Sequence, residues 1–220
     1  MKQRILLVGS DGHDLLNRIS TLDVSKLELG VKTLGLILNP QGKIRCSFLI
    51  LKKSPTESEI DFEPPFLDVF EQYTFAEKYE IRPLPSADGI AANESERIQK
   101  LLPRFGKEYL HDETTNPLEI NLRSQIHDGK GCYPGQEVIE KIISLGSPAR
   151  KLALLESVTK SFEALTPLPL LDPITHQEVG TLTSFSEGHA LGILKRTHLK
   201  MGIKLILPQK IEFTITRISE

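Results

Sequence analysis

The decapeptide Asp128-Gly129-Lys130-Gly131-Cys132-Tyr133-Pro134-Gly135-Gln136-Glu137 concentrates the residues of this chain that could do chemistry. Three glycines and a proline exclude a continuous helix or strand, because glycine resists ordering and proline lacks an amide donor. The span is therefore expected to be a tight loop carrying a thiol. Lys130 precedes Cys132 by two residues, and a helix is expected to follow from Glu137 through Ile143. A neighbouring cation or a helix N-terminus favours the thiolate, which is the form that attacks electrophiles and binds metals. On the residues alone two readings stay open: a structural cysteine in a turn, or a functional thiol tuned by Lys130. Tyr133, Gln136 and Glu137 surround it with polar side chains.

Other chemistries have little support. The loop is not a phosphate-binding P-loop, because no Gly-Lys-Ser/Thr follows and Lys130 comes early. The six histidines are scattered, without the spacing of metal ligands. Cys46 and Cys132 provide neither a disulfide framework nor a zinc pattern. His127 is close to Cys132 in sequence, but a Cys-His pair is defined by geometry. Glu119, after Pro117, reads as a surface carboxylate.

The elements that must position this loop follow from hydrophobic pattern. Arg4–Val8 is expected as a buried strand, and Ser10 or Asp11 to cap a helix with Leu15, Leu16 and Ile19 inward. Thr33–Leu38 and Lys43–Leu51 form an expected hairpin around Asn39-Pro40-Gln41-Gly42. Residues 52–61 read as a polar loop. Phe66, Phe70 and Tyr73 suggest an amphipathic helix over 65–79 with a core stripe. Pro83-Leu84-Pro85 reads as a break, and Asn93 with Glu96 as a capping box. From Lys151 the texture changes to short apolar runs between turns, at 152–158, 179–185, 190–194, 204–207 and 211–218, as in a small antiparallel barrel or sandwich. A boundary is placed near Arg150, giving domains 1–150 and 151–220.

At 220 residues with 39% hydrophobic and 25% charged residues, the chain has the composition of a soluble globular protein. A net charge of -2 gives no overall electrostatic case for nucleic acid or a membrane surface. The N-terminal apolar run breaks at Gly9-Ser10-Asp11, so a first strand is expected rather than a signal peptide. A reduced, cytoplasmic setting is expected from the cysteine usage.

Lys130-Gly131-Cys132-Tyr133-Pro134-Gly135-Gln136-Glu137 closely resembles the Lys-Gly-Cys-Tyr/Phe-x-Gly-Gln-Glu signature of the YgfZ-type folate-binding proteins, relatives of the glycine-cleavage T protein (aminomethyltransferase). Gly9–Val24, Leu36–Ile44, Pro117–Leu122, Val179–Ser184 and Ala190–Ile193 resemble further family segments in the same order. The resemblance implies an α+β fold: a folate-binding N-terminal domain followed by a small antiparallel β-barrel. It implies tetrahydrofolate or a derivative as ligand, and a role in iron–sulfur cluster assembly or repair, with a link to tRNA modification through iron–sulfur enzymes. Iron–sulfur client or assembly proteins would be the partners. By the same resemblance Cys132 is the functional thiol and Lys130 its partner, while Tyr133, Gly135, Gln136, Glu137, Glu119 and Arg18 belong to the folate site.

The chain also departs from the family. It is short between Pro83 and Asn93. Cys46 stands where the T protein has a catalytic aspartate, and Gln99 where an acid is expected. Aminomethyl transfer needs a positioned acid. Two rivals therefore accompany the first reading: a folate-dependent one-carbon transferase, and a shortened scaffold that binds a protein partner without folate.

Overall fold

The computed structural model describes residues 3–85, 93–162 and 166–219. Its fold is mixed α/β and contains a closed six-stranded antiparallel barrel. Internal contacts divide the chain into two units: Met1–Gly89 with His111–Thr114 and Arg123–Lys141, and Ile90–Leu110 with Thr115–Leu122 and Ile142–Glu220.

The first unit is built on a five-stranded antiparallel sheet of β1 (Gln3–Val8), β2 (Lys32–Leu38), β3 (Ile44–Ser54), β4 (Glu57–Phe62) and β5 (Glu80–Leu84), in the order β2-β3-β4-β1-β5. Helix α1 (Ser10–Ile19) and helix α2 (Phe66–Gln72) contribute buried side chains to its core. The expected inward face of α1 is present: Leu15, Leu16 and Ile19 are buried. Phe66 of α2 lies between Phe48 and Phe62 of the sheet, with ring centroids 5.0 and 4.9 Å away, and stacks on Phe70 at 5.8 Å. Aromatic rings at these spacings bury large apolar areas with favourable quadrupole geometry, so the expected core stripe is real.

Four local expectations are corrected. Residues 52–61 are not a loop. β3 runs on to Ser54, and β4 follows with Ser58, Ile60 and Phe62 buried in strict alternation. The period-two signal was present but lay beneath its charged alternate residues. Pro83 does not break the chain; it lies in β5, which among the described residues pairs with β1 alone. An edge strand tolerates a residue without an amide donor. Neither Ser10 nor Asp11 caps α1 through its side chain; Asp11 instead accepts the Lys78 amide at 2.9 Å. α2 stops at Gln72. Beyond it, the Glu77 carboxylate takes the amides of Phe75 and Ala76 at 2.7 and 3.1 Å, which builds a turn where the helix would have continued.

The second unit contains the barrel, ordered β10-β11-β6-β9-β8-β7 and closed by pairing of β10 with β7. Its strands are β6 (Arg150–Glu156), β7 (Leu168–Leu171), β8 (Glu178–Ser186), β9 (His189–Lys195), β10 (Lys204–Ile206) and β11 (Glu212–Ile218). β7 carries Pro169 and was not among the expected strands. Its contact with β10 is confined to Ile206 opposite Leu171, so Pro169 removes no ladder bond on that side. Helix α3 (Glu94–Gln99) begins with the Asn93 side chain accepting the Glu96 amide, one half of the expected capping box, while the Glu96 carboxylate pairs with Lys100. Its Ile98 packs with Leu101, Leu152, Leu154 and Leu191. Of the stretch 83–93, where the family resemblance implies a shortening, residues 86–92 lie outside the described residues. Among the described residues no helix is long and apolar enough to cross a membrane.

Three histidines of the first unit are biased towards the neutral form by burial. His13 donates from Nδ1 to the Pro55 carbonyl at 2.9 Å and accepts the Ser58 hydroxyl at Nε2 at 2.9 Å. His111 donates to the Pro64 carbonyl and accepts the Ser47 amide at 3.0 Å. His127 accepts the Asp23 amide at 2.9 Å. Burial pulls all three below the ordinary histidine value, and at His111 and His127 a second ring proton would also oppose the incoming amide of Ser47 or Asp23. The unfolded chain then binds more protons than the folded one below about pH 6.5. Stability is therefore expected to be full above that pH and to fall as the pH drops towards 5, read as a decreasing urea midpoint. His127→Asn keeps an acceptor for Asp23 without the titration and should flatten part of the slope.

Candidate functional site

The Cys132 loop and the segment before it are tied to the C-terminal end of α1 and the residues just after it by five hydrogen bonds. Thr21, fully buried, donates its hydroxyl to the Gln125 carbonyl at 2.7 Å, and its own carbonyl accepts the His127 amide at 3.0 Å. His127 in turn accepts the Asp23 amide. Lys130, only 7% exposed, donates its ammonium to the carbonyls of Asn17 and Ser20 and lies 5.0 Å from the Tyr133 ring centroid. These carbonyls close the last turn of α1, where the dipole favours a cation. Burial nevertheless pulls Lys130 down to about 8, opposed by Asp23 and Cys132. The lysine thus fastens the loop as well as placing a positive charge beside it.

Gly135 makes a further attachment. Its φ is +80°, and a Cβ there would lie 2.5 Å from the Asn39 carbonyl oxygen and 2.9 Å from the Gly42 Cα. The loop therefore packs backbone to backbone on the β2–β3 turn, an approach that glycine alone permits. Helix α4 (Gln136–Ser144) starts at the next residue. Gln136 bonds to Glu140 at 2.6 Å, and Glu137 is exposed in the first turn.

Held in this way, Cys132 is exposed. It borders a cavity of about 290 Å³ lined by Arg18, Ile19, Tyr73, Cys132, Tyr133 and Pro134. Arg18 is oriented by Glu77 at 2.5 Å and the Tyr73 carbonyl at 3.2 Å. Tyr133 is buried, and its phenol is pushed up to about 12 by that burial, so it is a neutral hydrogen-bonding group near pH 7.

The structure thus brings Arg18, Cys132 and Tyr133 to one cavity, with Lys130 and Gly135 holding the loop. Glu119 belongs to the second unit. There it caps its own 3-10 turn by accepting the Asn116 amide, and pairs with Arg150 at 3.0 Å. Thr21, His127 and Tyr73 were not singled out as site residues by their sequence. Thr21 and His127 have partners about a hundred positions apart, and only the fold creates those pairs. Among the described residues no group of three metal-binding side chains occurs.

Cys46 lies fully buried in the core of the first unit, and burial pushes its thiol up to about 12. Gln99 is exposed on α3. Of the two cysteines, iodoacetamide is expected to modify Cys132 alone in the folded protein, and Cys46 only in denaturant, as read from intact mass. Equal rates at both would mean that the first core opens readily.

The fold is that of the glycine-cleavage T protein class. The glycine cleavage system aminomethyltransferase T from Bartonella henselae aligns with a TM-score of 0.81 at 14% identity, covering 98% of this chain and 82% of that one. The likeness at this identity is one of fold. No protein-family model and no curated protein matches the sequence.

Proposed function

We propose that this chain is a YgfZ-type folate-binding protein that assists iron–sulfur cluster assembly or repair, with Cys132 as its functional thiol. The observation that carries the proposal is the exposed Cys132 on a loop pinned by Lys130 and Gly135, beside a cavity with two tyrosines and a guanidinium. The cavity, about 290 Å³, lies at the low end of the range for small-molecule sites. Aromatic faces and a guanidinium suit the ring of a reduced folate, so the residues fit part of such a ligand. Tyr73 and Tyr133 would hold the ring, and Arg18 would hold a polar edge. A bound reduced folate supplies one-carbon carrying capacity. The protein's own residues supply the aromatic wall, the orienting guanidinium and the thiol.

Cys46 speaks against the transferase alternative. A buried thiol held near 12 cannot serve as the acid–base group that an aspartate would supply at that position near neutral pH.

Calorimetry with tetrahydrofolate, joined to a turnover assay with an aminomethyl donor, separates the readings. Binding without turnover is the expected result. Turnover would favour the transferase, and no binding would leave the protein-binding scaffold. Cys132→Ala is expected to fail in complementing an iron–sulfur defect; full complementation would overturn the role given to the thiol.

A further inference from the structure

The second unit holds a larger cavity, of about 410 Å³. One wall is aromatic: Phe162 and Phe185 lie 4.4 Å apart between ring centroids. Phe213, in the barrel core, backs both rings at 6.3 and 6.1 Å. Arg104 and Lys107 also line the cavity, with Glu94 and Ser184.

The cationic residues come from a constructed turn. Gly106 adopts φ +84° and its amide bonds to the Tyr109 carbonyl at 2.9 Å. The Arg104 amide donates to the Glu108 carboxylate at 2.9 Å. Glu108 is itself buried, and accepts the hydroxyls of Thr183 and Ser184 on β8 at 2.9 and 2.6 Å. The same β8 continues into Phe185. One carboxylate therefore joins the turn bearing the cations to the strand bearing the ring, so both are in place before any ligand arrives. Such preorganisation lowers the ordering cost of binding.

The charges are unequal. Both oxygens of Glu94 already accept from Arg97, at 2.8 and 3.0 Å, and Glu94 also pairs with Arg104 at 3.0 Å. The Lys107 amide donates to the Arg104 carbonyl at 3.1 Å, while its ammonium makes no hydrogen bond or close ion pair among the described residues and lies in the field of Glu94. The lining thus carries two cations against one carboxylate, and that carboxylate is shared. A half-buried pair of rings beside an ammonium whose charge is shared only with Glu94 suits a flat apolar group with an anionic substituent.

We propose that this cavity is a second small-molecule site, for a ligand with an aromatic ring and a single carboxylate. Phe162 and Phe185 receive the ring, and Lys107 with Arg104 the carboxylate. It is separate from the Cys132 loop and does not depend on the folate reading.

Ligand-observed NMR titration of the full chain with 2-naphthoate and its uncharged counterpart 2-naphthamide tests this. Naphthoate should bind saturably and about tenfold more tightly than the amide, as expected if charge is read. Lys107→Met and Phe162→Ser should each weaken naphthoate by about fivefold or more. Phe162→Leu keeps most of the apolar bulk without the ring, and should also weaken binding should Phe162→Ser prove unstable. Lys53→Met, a charge loss in the first unit, should leave binding unchanged. Equal affinity for the amide, undiminished binding in Lys107→Met, or no saturable binding would each overturn the proposal.

Discussion

Arg97→Met is expected to destabilise the unit containing the barrel by about 3–5 kcal/mol, the cost typical of removing one partner from a buried ion pair. Arg97 is 5% exposed and Glu108 3%. The guanidinium bonds to Glu108 at 2.9 Å, to both oxygens of Glu94, to the Leu102 carbonyl at 2.6 Å and to Ser184 at 2.6 Å. Methionine fills much of the volume but leaves Glu108 charged, buried and without its cation. Urea unfolding gives the measurement. Adding Glu108→Leu should restore a substantial part of the loss, because burying two apolar groups avoids the stranded charge. A loss below about 1 kcal/mol in the single variant would mean that water or a rearranged Arg104 compensates, as at surface pairs.

Gly135→Ala should have the next largest effect, and it bears on the candidate site. An alanine at φ +80° carries about 1–3 kcal/mol of backbone strain. Its Cβ would also meet backbone atoms of Asn39 and Gly42, which cannot swing aside. That overpacking adds about 1–3 kcal/mol. The other two loop glycines provide internal controls. Gly129 has φ +67° but open space around it, so its alanine variant should lose only the conformational part. Gly131 has open space and no positive φ, and Gly131→Ala should change stability by less than about 0.5 kcal/mol. The order Gly135, Gly129, Gly131 in unfolding free energy is the expected result. Equal effects at all three would show that the loop does not rest on the hairpin turn. Tetrahydrofolate calorimetry on the same variants then asks whether displacing the loop also alters the Cys132 cavity.

Much of the fold was legible because local patterns and tertiary burial agreed. The inward residues of α1, the Asn39–Gly42 hairpin, the Phe66 and Phe70 stripe and the Asn93 cap each follow from a single-turn or single-strand rule. The misreadings arose where long-range pairing outweighed local chemistry. β4 is charged on every second residue and survives because its other face is sealed in the sheet. β5 and β7 hold prolines beside weakly demanded edges: Pro83 on a strand at the end of the sheet order, and Pro169 on a strand whose β10 side is confined to Ile206 opposite Leu171. The stop of α2 depends on Glu77 capturing two amides, which no helical period reveals.

For the candidate site, the sequence by itself determined the loop and the place of its thiol: glycine and proline spacing excludes regular structure whatever surrounds it, whereas the exposure of Cys132 was decided by the fold. The sequence also supplied Lys130, but adjacency suggested only an electrostatic role. Tertiary structure decided that its ammonium reaches the carbonyls of Asn17 and Ser20, more than a hundred residues earlier, and thereby pins the loop to α1. It likewise decided which glycine is indispensable, because φ and the nearness of Asn39 are properties of the folded backbone. The physical reason is range. Backbone preference acts over a few residues, whereas desolvation, ion pairing and close packing depend on what the fold brings alongside.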